Sequence, residues 1–230
     1  MSGARRAVFS ASGLREGWLM RRIPPEIRAQ DAMLAGGKDL AALYGRDPSL
    51  PPALLAWTAP MFAPETDVAA RLREAACWMS DVGSHDHPEF RPEQAFLRVL
   101  RQPGVGLDHP ARAFLALTIA LRYEADAAAP FLMPVRRLLD PADAKRAECL
   151  GMALRLAYTL SAGTPDLLAG TSLRIEGRRL VLHLEEDSGV FAGEAVVRRL
   201  TRLATALDLE AATETAAWRA DTFEPREAAK

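Results

Sequence analysis

Proline placement constrains this chain more than any other feature. Pro24-Pro25 ends one segment, and Pro51-Pro52, Pro92, Pro110 and Pro141 each open another. Proline fixes φ near the helical value and lacks an N–H, so it is at home in a helix's first turn and excluded from central strands. The apolar residues behind these prolines recur at helical spacing. Residues 31–43 read as one helix broken by Gly36-Gly37, and a helix is expected around residues 53–57. Thr66 is placed to cap a helix with Asp67 in its first turn, where negative charge suits the helix dipole. Behind it Val68, Leu72, Ala75, Ala76 and Met79 form one expected buried stripe. Phe96, Leu97 and Leu100 follow Pro92; Phe114, Leu117 and Leu121 follow Asp108-His109-Pro110. Asp140-Pro141 opens the longest helix, with Ala147, Leu150, Leu154 and Tyr158 on one face. Residues 24–163 therefore read as a helical bundle without strand signals.

The two ends differ. Ala7-Val8-Phe9 reads as a short apolar strand, and Ser10-Ala11-Ser12-Gly13 leads from it into a helix over residues 14–22. That is an α/β unit whose sheet partners would stand on the N-terminal side of residue 1. After Gly163-Thr164-Pro165, Leu173 and Ile175 alternate with polar residues, Glu176-Gly177 makes a turn, and Leu180, Leu182 and Leu184 alternate again. This is a hairpin with one buried face. A helix follows with Val196, Val197, Leu200, Leu203 and Leu207 inward, then a strand over residues 208–213 and a polar, frayed tail. The expected fold class is mainly α: segment 1–23, a bundle over 24–163, and a small α/β module over 164–230.

Composition excludes several function classes. A net charge of −1 gives no bulk basicity for nucleic acid or an anionic membrane. No apolar run approaches the ~20 residues of a membrane span. Arg5 and Arg6 are followed by Ser10, Ser12, Arg15 and Glu16, which interrupt any signal-peptide apolar region. Cys77 and Cys149 lack paired metal-ligand spacing and sit among helix formers, as reduced core residues of a cytoplasmic protein do.

Few motifs carry chemistry. Gly36-Gly37-Lys38-Asp39 lacks the earlier glycine of a phosphate loop and puts an aspartate where the Ser/Thr belongs. Ser84-His85-Asp86-His87-Pro88 concentrates metal-capable groups that Asp81 and His109 could join, although a closed site needs three or four converging ligands. Glu185-Glu186 directly follows a strand and reads as solvated. The pairs Arg21-Arg22, Arg136-Arg137 and Arg198-Arg199 suit bidentate phosphate contacts only if several line one groove.

Two stretches resemble the Ppx/GppA family of exopolyphosphatases and guanosine pentaphosphate phosphatases. The first is Val8-Phe9-Ser10-Ala11-Ser12-Gly13-Leu14-Arg15-Glu16-Gly17, similar to the last strand of an actin-like catalytic core and the segment after it. The second is Ala75-Ala76-Cys77-Trp78-Met79-Ser80-Asp81-Val82-Gly83, continued by His87-Pro88, Gly106-Leu107-Asp108-His109-Pro110 and Arg122-Tyr123. It is similar to the family's helical domain, a relative of HD metal phosphohydrolases. The resemblance implies that residues 1–23 are the end of the catalytic domain. Residues 24–163 would then be an HD-like bundle.

The family hydrolyses a terminal phosphate from polyphosphate or pppGpp, using magnesium and a glutamate that activates water. The resemblance places that machinery on the N-terminal side of residue 1, so no catalytic residue and no cofactor is assigned to this chain. Ser80-Asp81 stands where an HD site has His-Asp, Arg91 and Glu93 fall where some relatives carry histidines, and Glu124 follows Arg122-Tyr123 where another often occurs. The expected role is a substrate-binding and dimerising accessory region. Its partner would be polyphosphate or a similar polyanion, held through Arg15, Arg91, Arg112, Arg122, Arg136 and Arg137. The rival readings are a stand-alone HD-type hydrolase with metal at Asp81, His85, His87 or His109, and a purely structural interaction module.

Overall fold

The computed structural model describes residues 13–103, 107–186, 188–190 and 192–216. The expected strand at Ala7-Val8-Phe9, the loop at residues 10–12, Gly106 and the polar tail lie outside the described residues. The helices are α1 (Leu14–Met20), α2 (Pro25–Arg28), α3 (Ala32–Tyr44), α4 (Leu50–Phe62), α5 (Asp67–Met79), α6 (Arg91–Leu100) and α7 (His109–Arg122), then α8 (Met133–Arg136), α9 (Pro141–Ser161), α10 (Pro165–Ala169) and α11 (Glu194–Ala206). The strands are β1 (Thr171–Glu176), β2 (Arg179–Glu185) and β3 (Glu210–Ala216). The architecture is mainly α with a small α/β module, as the pattern predicts.

Caps and prolines set the helix starts. Thr66 Oγ1 accepts from Ala69 N at 3.3 Å, Asp108 Oδ1 from Ala111 N at 2.8 Å, and Asp140 Oδ1 from Asp143 N at 2.8 Å. Each satisfies a backbone donor that the helix itself leaves without a partner. Asp31 does the same for Met33 N and Leu34 N, but the expected break at Gly36-Gly37 is absent: α3 runs through both. Gly37 is buried against α5, where a Cβ would meet Trp78 Cβ at 3.3 Å and Ala75 O at 3.6 Å. The glycine serves close helix approach rather than a turn. Helix α4 extends well past residues 53–57, to Phe62, with Pro60 in its last turn.

Three apolar positions expected inside are exposed. Val68 is at the N-terminal end of its stripe, on the rim of a surface cavity shared with Met33, Leu72 and Phe114. Val197 falls beside the face formed by Val196, Leu200 and Leu203, and Ile175 sits near the hairpin tip.

Helix α7 is the centre of the bundle, buried from Ala113 to Arg122 and packed on α5, α6, α8 and α9. It crosses α9 closely at Gly151, where a Cβ would lie 2.7 Å from Thr118 O and 2.9 Å from Leu121 Cβ. A buried ionic tie joins α4, α5 and α9. Arg73 pairs with Glu65 at 2.7 Å and donates to Leu55 O, also at 2.7 Å, and Arg146 closes on the other oxygen of Glu65.

The sheet has order β1-β2-β3, with β1 antiparallel and β2 parallel to β3 through the α11 crossover. Trp57 Nε1 of α4 donates to Thr171 Oγ1 of β1 at 2.9 Å, fastening the module to the bundle. One apolar cluster runs through both, from Leu54 and Leu117 to Leu182 and Leu203. Among the described residues no helix is long and apolar enough to cross a membrane.

Candidate functional site

Helix α5 ends in a tight turn that buries two polar residues, Ser80 and Asp81. Ser80 Oγ donates its one proton to Cys77 O at 2.7 Å and so accepts from Tyr158 Oη at 2.8 Å. Asp81 is clamped by Arg46: its Oδ2 accepts from Arg46 N at 3.1 Å and Nε at 2.9 Å, and its Oδ1 from Nη2 at 2.9 Å. Arg122, in the last turn of α7, brings Nη2 to 3.5 Å from Oδ1 of the same carboxylate.

Arg122 is only 4% exposed, and its guanidinium stacks on Tyr158 at 3.6 Å and Tyr123 at 4.0 Å. Such stacking suits a planar, weakly hydrated cation better than an ammonium. Its Nε has no hydrogen-bond partner among the described residues. Tyr123 Oη accepts from Gly83 N at 2.9 Å, which ties the end of α7 to the turn that carries Asp81.

The cluster continues outward. Arg98 donates to Val82 O at 2.7 Å and grips Asp86 at 2.7 and 3.0 Å while lying over Tyr44 at 4.6 Å. Arg91 donates to Asp86 O at 2.8 Å and faces Tyr123 at 6.0 Å. The chain has 3 tyrosines, and all of them stand here, interleaved with arginines.

Beyond Tyr123, Glu124 adopts a left-handed φ of 62° and accepts from Arg155 Nη2 at 2.6 Å and Arg199 Nη2 at 2.8 Å. Burial raises the Glu124 carboxyl, but the charges of Arg155 and Arg199 outweigh it and hold the group below its ordinary value. Burial lowers Arg155; Glu124 opposes this and Arg199 adds to it. Hydrogen bonding from Arg98 holds Asp86 low, and burial pushes Tyr123 and Tyr158 up. Arg46, Arg91, Arg98, Arg122, Arg155 and Arg199 thus outnumber the facing carboxylates of Asp81, Asp86 and Glu124. The cluster keeps a surplus of positive charge.

Of the arginines that the sequence singles out, Arg91, Arg122 and, from the pair Arg198-Arg199, Arg199 belong to this cluster. Arg112 lies in the first turn of α7, about 15 Å along the axis from Arg122, and donates to Gln102 O at 2.6 Å. Arg136 pairs with Glu148 at 2.5 Å, Arg137 is exposed beside it on the surface, and Arg15 pairs with its neighbour Glu16 at 2.7 Å. Asp81, His85, His87 and His109 do not converge: among the described residues the one grouping of three metal-type donors is Glu176, His183 and Glu214. No carboxylates of the cluster gather to hold the magnesium that the resemblance implies, because Asp81, Asp86 and Glu124 each face guanidinium groups. Burial pushes the Cys77 thiol up to about 12, so it is not a thiolate nucleophile at neutral pH.

Sequence reasoning missed Arg46, Arg98 and Arg155, and singled out Arg199 only as half of the Arg198-Arg199 pair. Among the cluster's arginines Arg122 continues the apolar register Leu115–Ile119 at i+4 and i+7, the mark of an arginine turned into a core.

A comparison with curated proteins finds no match. The exopolyphosphatase C-terminal family matches residues 33–212, well over half of the chain and the whole of the cluster just described. The turn at Ser80-Asp81, the buried Arg122-Tyr123 pair and most of the bundle and sheet fall within that match, and the chain belongs to the exopolyphosphatase C-terminal family.

Proposed function

We propose that this region holds a phosphate chain for a Ppx/GppA-type phosphatase, through the arginine–tyrosine cluster around Asp81, and does not itself perform the hydrolysis. The observation that carries the reading is the surplus of guanidinium over carboxylate in one place, framed by Tyr44, Tyr123 and Tyr158. A polyphosphate presents one charge after another, so many modest contacts suit it better than one deep pocket. Arginine forks match phosphate oxygens two at a time. The internal carboxylates keep the guanidiniums in place while no ligand is bound.

The non-catalytic half of the reading is supported by the state of the candidate groups. The cluster's carboxylates are engaged by arginines, and both cysteine thiols are pushed up by burial. An HD-type metal reaction would need Asp81 free of Arg46 and Arg122.

The test is thermal unfolding of the chain with and without inorganic polyphosphate. A ligand that binds only the folded state raises the melting temperature by mass action. The expected result is a rise at low salt that fades as salt is added. No rise at low salt would overturn the binding role, and sustained orthophosphate release by the purified chain would overturn the non-catalytic one.

A further inference from the structure

One face of the sheet carries a second constellation, remote in role from the arginine cluster. Glu176 closes β1, His183 lies in β2 and Glu214 in β3, so each strand contributes one side chain. His183 Nε2 is 3.1 Å from Glu176 Oε1, and its Nδ1 is 3.8 Å from Glu214 Oε2. One ligand atom from each residue lies within 4.8 Å of the others. Val181, two residues before His183 on the same face of β2, is fully buried, so this face is covered rather than fully wet. A cation already answers the two carboxylates: Arg179 Nη2 is 3.7 Å from Glu176 Oε2 and 3.4 Å from Glu214 Oε1.

We propose that Glu176, His183 and Glu214 form a surface site for a first-row divalent cation such as Zn2+. One imidazole nitrogen with two carboxylate oxygens, and room for water, is a donor set for such a metal rather than for Mg2+, which prefers oxygen alone. Ligand distances of about 2.0–2.2 Å would be reached by small side-chain rotations of half-exposed residues on strands whose register is fixed. The cation would replace the looser guanidinium contacts of Arg179. It would also fasten all three strands together, β3 included, which pairs with β2 alone. The site is independent of the phosphate-binding reading.

The test is titration of the untagged full chain with Zn2+ alone near neutral pH, read by calorimetry and by NMR of the imidazole rings. The chain has 4 histidines, so His183 can be told from His85, His87 and His109. The expected result is saturable binding of one equivalent that shifts His183 only and disappears in His183→Ala. Glu214→Gln, nearly isosteric, weakens it by more than the ~10-fold that even an outer-sphere partner is worth. Arg179→Gln strengthens it, because a competing cation is removed; a purely structural ion network predicts no such gain. Melting of the metal-free variants like the parent shows that the fold is intact. Absence of saturation, or saturation that survives His183→Ala, would overturn the proposal.

Discussion

Arg122 is the residue whose environment says most. A guanidinium at 4% exposure needs a counter-charge, and Asp81 supplies it with Arg46 as the second claimant. Removing one partner of such a buried group leaves the other uncompensated, which costs far more than the pair contributes. Asp81→Asn is therefore expected to lower stability by about 3 kcal/mol or more, measured by urea unfolding. Under the proposed function, polyphosphate then restores part of that loss, since it brings negative charge back to Arg122.

Burial also acts on neutral acids. Cys77, ordinarily at 9.0, is pushed to about 12, and Tyr123 and Tyr158 are raised in the same direction. A raised acid favours the fold while it stays protonated. The contribution is fully present below about pH 9, where the unfolded thiol begins to ionise, and is lost as pH rises towards 12. Unfolding free energy is expected to be flat from neutral pH to about 9 and to fall above it. A fold equally stable at pH 8 and pH 11 would contradict this.

At the scale of elements, the α7–α9 crossing decides the geometry of the cluster. Gly151 lets the two helices touch, and Arg122 and Tyr158 project from either side of that contact. Gly151→Ala places a methyl against Thr118 O and Leu121 Cβ, and overpacking of this kind costs about 1–3 kcal/mol. The expected outcome is a lower melting temperature together with weaker polyphosphate binding, because Arg122 shifts with α7.

The starts of the helices were legible in the sequence because capping is local: Thr66, Asp108 and Asp140 act on backbone donors within three residues of themselves. The unbroken α3 was not legible. Whether Gly37 breaks a helix or admits a neighbour depends on Trp78 and Ala75, which lie some forty positions away in sequence. The exposure of Val68 and Val197 depends likewise on how neighbouring elements pack against their helices, which local periodicity does not record.

At the scale of the whole molecule, bundle and sheet module share one apolar cluster, and the arginines of the candidate site come from several elements packed on it. Arg46 follows α3, Arg91 and Arg98 belong to α6, Arg122 to α7, Arg155 to α9 and Arg199 to α11. This explains why Ser80-Asp81 and Arg122-Tyr123 could be found as motifs while most of their partners could not. Their ion pairs span from 12 residues, for Arg98–Asp86, to 75, for Arg199–Glu124, and no local pattern records such a pairing. The paired arginines at 136–137 looked equally suited to phosphate, yet Arg136 is committed to Glu148.

The most direct measurement is the salt dependence of polyphosphate binding to the chain and to Arg91→Gln and Arg155→Gln variants. Each phosphate contact releases a counterion, so the logarithm of the binding constant falls linearly with the logarithm of salt concentration. The account predicts a steep slope for the parent chain, reduced by roughly 0.7–0.9 for each arginine removed. A slope near zero, or one that neither substitution changes, would contradict it.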